Sequence, residues 1–265
     1  MIRLLAAIMI FFSTQLHAET LKLAVTTSFQ NSGLADILLP AIEQDTGLEV
    51  QLLVVGTGQA LRLGEAGDVD AILVHSKAAE LQFIERGFGT HRREIMYNDF
   101  VLIGPSMDPA DIQSAETAAN ALDQIATFKA PFVSRGDDSG THRKERALWL
   151  SIEHNPENFE QWYKEVGAGM GASLNTASGL DAYIVADRAS WLNFGNKGNL
   201  ELLFSGDPVL FNQYAFLPVD PKRHSHVKAH AVKQLEAWLT SPEAQQLIDG
   251  YTIEGESLFV FNATP

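Results

Sequence analysis

Cysteine is missing from all 265 residues, so the chain holds no disulfide and lacks the thiol that a lipoprotein anchor requires. Positive charge is scarce as well: 19 Lys and Arg stand against 33 Asp and Glu, giving a formal charge of −14. No Lys/Arg cluster reverses that field, which argues against nucleic acid and anionic membranes as partners. After the first dozen residues no apolar run is long enough to span a bilayer, and no membrane insertion is expected. Catalytic signatures are lacking too. There is no Gly-x-Ser-x-Gly elbow, no His-Glu-x-x-His, and no set of carboxylates and histidines spaced for two metals. A hydrolase of phosphate or sulfate esters is therefore the weaker class, and the chain is not expected to be an enzyme.

What is present begins with a secretory leader. Residues 1–18 combine Arg3, an apolar stretch from Leu4 to Phe12, and Leu16-His17-Ala18 before a cleavage point after Ala18. Export predicts a freely soluble periplasmic protein. With 46% hydrophobic residues it can bury a sizeable core in one large domain or two lobes.

Strands alternate with helices along the remainder. Leu21 to Val25 alternates as a first strand, Leu48 to Val55 is the second, and Ala71 to Val74 reads as a buried third. Pro40 is expected to kink or interrupt the helix begun at Leu34. Helices are also expected over 110–127, 156–165 and 226–240, the second carrying Trp162 and Tyr163 as core residues. Two long strands near residues 97–103 and 212–219 read as crossings between lobes, and Tyr183 is left open between site and core. Gly56-Thr57-Gly58 is poor evidence for a dinucleotide site, because Leu61 occupies the third glycine position. His75 reads as a loop-packing residue and His224, His226 and His230 as a solvated helix start, not as metal ligands.

The most informative stretch is Pro131 to Leu150. A short apolar strand empties into Ser134-Arg135-Gly136-Asp137-Asp138-Ser139-Gly140-Thr141, and a helix follows from His142. The first N–H groups of a helix have no internal partners and carry the positive end of its dipole, which suits a small oxyanion. Arg135 adds a planar fork of donors, with Asp137 two residues on to orient it. No Glu or Gln follows Ser139 by three residues to close a capping box. On the loop alone, a well-capped helix with a surface Arg–Asp pair remains the plainer alternative.

The run Ser134 to His142 with Lys144-Glu145 resembles the tungstate-binding proteins, Tup type, of bacterial ABC importers. Val55-Gly56-Thr57-Gly58-Gln59-Ala60-Leu61 and Gly169-Met170-Gly171 resemble further blocks of that family. Its Arg-x-Asp-x-Ser-Gly-Thr core is also similar to the phosphate-binding proteins of the same superfamily, so phosphate is the alternative ligand. The family's first hydroxyl run has Val25 here in place of a threonine, and Ser173 stands where Thr is common.

The resemblance implies an α/β, two-lobed periplasmic binding protein fold of type II with a ligand cleft between the lobes. Lobe I is expected at 19–100 and again at 217–265, and lobe II at 101–216. The implied ligand is tungstate or molybdate, with no cofactor and no protein-bound metal cation, and the partner is an ABC permease served by a monomer. Expected ligand donors are Thr27, Ser28, Thr57, Ser76, Arg135, Ser139, Gly140, Thr141 and Ser173.

Overall fold

The structure is a computed structural model and describes residues 19–264. The expected leader, residues 1–18, lies outside the described residues. In chain order the first elements are β1 (Glu19–Thr26), α1 (Thr27–Asn31), α2 (Leu34–Thr46), β2 (Leu48–Val55), α3 (Thr57–Ala66), β3 (Ala71–Val74), α4 (Lys77–Glu85) and β4 (Arg93–Pro105). Next come α5 (Ala118–Phe128), β5 (Phe132–Ser134), α6 (Gly140–Ser151), β6 (Tyr163–Glu165), α7 (Met170–Leu180), β7 (Tyr183–Asp187), α8 (Arg188–Leu192), β8 (Leu200–Phe204) and β9 (Phe211–Pro218). The chain closes with α9 (Ala229–Leu239), α10 (Pro242–Asp249), a hairpin of β10 (Thr252–Ile253) and β11 (Glu256–Ser257), and β12 (Val260–Phe261).

The strands form an α/β fold in the order β2-β1-β3-β9-β4-β7-β5-β6, with β8 and β12 also pairing β4. β1 is parallel to both β2 and β3, and β5 is parallel to both β6 and β7. Two parallel half-sheets are thus joined through antiparallel β9 and β4. The 13-residue β4 belongs to both halves: Arg93–Asp99 pairs β9, whereas Phe100–Ile103 pairs β7. The expected lobe boundaries at 100/101 and 216/217 fall inside β4 and β9. β3 is buried along its whole length, as an apolar run covered on both faces must be. Ala24, Ile72, Val74, Phe83 and Leu217 make a core on one side of the first half, and Leu102, Phe132, Trp149 and Tyr183 anchor that of the second.

Several local readings are corrected. Pro40 does not interrupt α2, which runs on to Thr46. Leu34, Ala35, Leu38 and Ile42 bury against the core, and this burial outweighs the one missing backbone bond. The helix expected at 156–165 is a single turn at Pro156–Asn158 followed by β6. Phe159, Trp162 and Tyr163 mimic a helical stripe by spacing, but their rings close instead on Phe132 and Trp149. The helix expected from residue 110 starts at Ala118, where Thr117 accepts a hydrogen bond from the Asn120 N–H.

Tyr183 is a core residue. Its ring is fully buried, its hydroxyl donates to Asp108 at 2.7 Å and accepts from the Ala110 N–H at 2.9 Å, and it crowds Gly104 so closely that a Cβ there would lie 2.4 Å from the ring. Tyr183→Phe orphans both partners and is expected to lower stability by about 1 to 3 kcal/mol, read from denaturant midpoints, while leaving ligand affinity unchanged.

Candidate functional site

Parallel pairing puts the C-terminal ends of β1, β2 and β3 on one edge, and Thr26 is in register with Val55. The helices leaving those ends, α1, α3 and α4, therefore start side by side, with Thr27 and Thr57 on neighbouring strand ends. In the second half β5 ends at Ser134 and β7 at Asp187, and α6 and α8 begin beyond them. The two edges face each other: a Cβ placed on Gly140 would lie 3.9 Å from His75 Cε1. Cavities of this kind, rimmed by strand ends and helix starts, are where α/β proteins take ligands.

The first wall is a knot of hydroxyls. Ser28 Oγ lies 3.0 Å from Thr26 Oγ1, 3.0 Å from Tyr214 Oη and 3.1 Å from His75 Nε2. Burial pulls the His75 pKa below its usual value, against the opposing pull of its own carbonyl, Asp187 and Asn212, so the ring is neutral at pH 7. Thr27 is exposed at the rim and Thr57 is half-buried. The Ser76 N–H is taken by the buried Glu80 carboxylate, which in turn accepts from Arg92 Nε at 2.6 Å. That leaves the Ser76 hydroxyl as the available donor.

The second wall is the loop from Ser134 to Thr141. Arg135 Nη2 donates to Asp137 Oδ2 at 2.5 Å, and its buried Nε has no partner among the described residues. Burial would raise the Asp137 pKa, but hydrogen bonds from Ser139 and Arg135 outweigh it and hold the carboxyl below the usual range. Ser139 caps α6 by accepting from the His142 N–H at 3.3 Å, and its own N–H goes to Asp137 Oδ1 at 3.2 Å. The N–H groups of Gly140 and Thr141 are first-turn donors with no helical acceptor. The Arg135 carbonyl accepts from the N–H groups of Gly167 and Ala168, which ties this loop to the one leading into α7. Ser173 is the predicted donor that fits least. It is fully buried one turn into α7, its hydroxyl faces the carbonyls of Ala168 and Gly169, and its N–H is bonded to Gly169. Any donors from this segment are one turn earlier, at Met170 and Gly171.

Sequence reasoning missed Thr26, Tyr214 and Glu145. Thr26 stands in the hydroxyl run, yet the missing threonine at Val25 drew attention to Thr27 instead. Tyr214 lies 186 residues from Ser28, and no local pattern links them. His224 and His226, weighed as ligands, direct Nε2 to the carbonyls of Glu65 and Gly67 at the end of α3.

Opposed helix starts across a cleft between two half-sheets define a solute-binding protein of the two-lobed class. Residues 13–243 match a PBP superfamily domain. A tungstate-binding protein TupA from Peptoclostridium acidaminophilum is 44% identical over 245 residues, 91% of this chain and 85% of the relative. The TupA structure from Desulfovibrio alaskensis G20 superposes with a TM-score of 0.90 at 43% identity, covering 93% of this chain and all of that one. The tungstate ABC transporter structure from Geobacter sulfurreducens matches at 46% identity with a TM-score of 0.75, over 88% and 99% of the two chains. The chain belongs to the PBP superfamily and, within it, to the family of these TupA proteins.

A buried acid lies on α6. Glu145 accepts from Tyr163 Oη at 2.7 Å, and burial lifts its pKa to about 7, against the opposing effect of that hydrogen bond. A carboxyl whose folded pKa is raised stabilises the fold below its unfolded pKa, near 4.5, and that contribution is lost as pH rises through about 7. Glu145→Gln stays neutral throughout. The variant should therefore gain about 2 to 3 kcal/mol on wild type between pH 4 and pH 8 in denaturant unfolding, and a constant difference would place the carboxyl in a wetter setting.

Proposed function

We propose that the protein captures tungstate in the periplasm, as a monomer, and delivers it to an ABC permease. The observation that carries the reading is the forked Arg135 side chain, pinned by Asp137 beside the unpaired N–H groups that open α6. A tetrahedral dianion needs several donors and no acceptor, and in this reading the donors are Thr27, Ser28, Thr57 and Ser76 from one wall and Arg135, Ser139, Gly140 and Thr141 from the other. A nanomolar affinity is about 12 kcal/mol, which roughly eight charge-assisted donors at about 1.5 to 3 kcal/mol each cover after ordering costs. Binding is the whole function in this reading, and no bond is made or broken. An anion bridging both walls shifts a hinge in β4 and β9 toward the closed form that the permease meets.

Tungstate is favoured over phosphate by proton count. At neutral pH phosphate carries at least one proton and needs a buried acceptor, whereas tungstate has nothing to donate. The loop after β3 offers His75 and Ser76 there, and Asp137 is already engaged by Arg135 and Ser139. Calorimetric competition among tungstate, molybdate, phosphate and sulfate is expected to place tungstate at least about a thousandfold ahead of phosphate, about 4 kcal/mol. A phosphate affinity within about tenfold of tungstate would make phosphate the better assignment. Arg135→Ala should weaken tungstate binding by about 2 to 4 kcal/mol, and Arg135→Lys should restore only part, because a point charge lacks the fork. Wild-type affinity in the Ala variant would show that the site is elsewhere.

A further inference from the structure

His142 ties the start of α6 to the loop before it. Its N–H donates to the hydroxyl of the cap residue Ser139 at 3.3 Å, and its ring Nδ1 accepts from the N–H of Asp138, one residue before the cap, at 3.0 Å. The cap's own N–H goes to Asp137, so His142 and Asp137 together hold the two N–H groups that lead into the helix. A backbone N–H only donates, so Nδ1 carries no proton, and the neutral ring holds its proton on Nε2. Nε2 is buried without a hydrogen-bond partner, and the side chain is 9% exposed, with Glu165 Oε1 at 3.7 Å. The clasped residue is under strain: Asp138 sits at φ 56°, next to Asp137, which holds Arg135.

We propose that the unprotonated Nδ1 of His142 is the positioning element for Arg135, and that a second proton on this ring undoes it. With Nδ1 as acceptor, Asp138 is held in its left-handed turn, and Asp137 is fixed against both the guanidinium and the Ser139 N–H. Protonated Nδ1 turns a donor toward the Asp138 N–H, so that contact becomes a repulsion and the turn opens. Anion affinity then falls on acidification, although Arg135 and the anion keep their charges.

Charged groups lie around the ring. Glu165 on β6 lies 3.7 Å from Nε2, Asp137 and Arg135 pair with each other in the loop, and Arg143 on α6 is bidentate to Asp138 at 2.9 and 2.7 Å. Glu145, the remaining acid nearby on α6, is turned to Tyr163. Simple electrostatics predicts the opposite trend, since an added positive charge beside an oxyanion would tighten binding in acid. The sign of the pH dependence therefore separates positioning from charge.

The proposal rests on the oxyanion reading of this loop. Its test is calorimetric titration of micromolar tungstate at pH 8 and pH 5.5 with wild type, His142→Asn and His142→Gln, together with 15N spectroscopy of the wild-type imidazole. Asn places an acceptor near Nδ1 and does not titrate; Gln places its polar end near Nε2. Wild type should weaken by about tenfold from pH 8 to pH 5.5, the loss of roughly one hydrogen bond. His142→Asn should bind within about threefold of wild type at pH 8 and keep that affinity at pH 5.5, whereas His142→Gln should be about tenfold weaker at both. Nδ1 should be the unprotonated nitrogen at pH 8. A Gln variant that binds like wild type, wild-type binding that tightens in acid, or a proton on Nδ1 at pH 8 would each overturn the proposal. If wild type binds no tungstate at pH 8, the oxyanion reading itself fails, and the proposal with it.

Discussion

An anion has to be held by a chain with 33 acidic and 19 basic side chains, and the site follows from that constraint. The excess charge is spread over the surface and screened within about 8 to 10 Å at ordinary ionic strength. In the proposed site, dipoles and one oriented cation act at contact distance, where they are worth far more than screened distant charges. The neighbouring arginines are already committed. Arg188 is bidentate to Asp99 at 2.6 Å through both contacts, Arg92 bridges Glu80 and Glu94, and Arg143 holds Asp138. Carboxylates also claim the N–H groups of Ser76 and Ser139, which leaves the first-turn N–H groups of Gly140 and Thr141 as the open backbone donors of α6.

The strand ladder that joins the two half-sheets runs through β4 and β9, whose buried Asn98 and Asn212 side chains meet at 2.9 Å. Beside them Asp99 reaches Arg188 at the start of α8. On the proposed reading this junction is the hinge, because hydrogen bonds and a bidentate ion pair fix contact points without demanding one packing of large apolar side chains. The His75 ring lies near Gly140, where the absence of a side chain leaves room for the two walls to approach.

The alternation of strands and helices, the two long crossings and the Arg135 loop were all legible in the sequence, because each is carried by local periodicity or by a contiguous motif. What escaped is what the chain assembles over distance. Tyr214 joins Ser28 only when β9 inserts beside β3. Ser173 reads as a hydroxyl donor in a glycine-rich run, but its place one turn inside α7 turns that hydroxyl onto the helix's own carbonyls. The helix expected at 156–165 failed for a related reason, since three aromatic residues at helical spacing serve a sheet edge and a core equally well. His142 escaped because its ring accepts from the N–H of Asp138, one residue before the cap, a contact that the spacing of a capping box does not describe.

A carboxylate inside an oxyanion site looks self-defeating, and Asp137 shows why it is not. A guanidinium with no partner in the unliganded cleft would swing toward one of the many acidic side chains, and binding would then have to break that pair first. Asp137 engages Arg135 through Nη2 alone, and the buried Nε on the same edge of the guanidinium has no partner among the described residues, so the fork is held without being saturated. Asp137 is itself held by the Ser139 N–H, which roots the pair in the cap of α6 rather than in a mobile side chain. The ordering of Arg135 is therefore completed during folding, and on the proposed reading the anion meets a fork already oriented. Charge is conceded to gain geometry, and for a ligand recognised by several convergent donors geometry is the scarcer quantity.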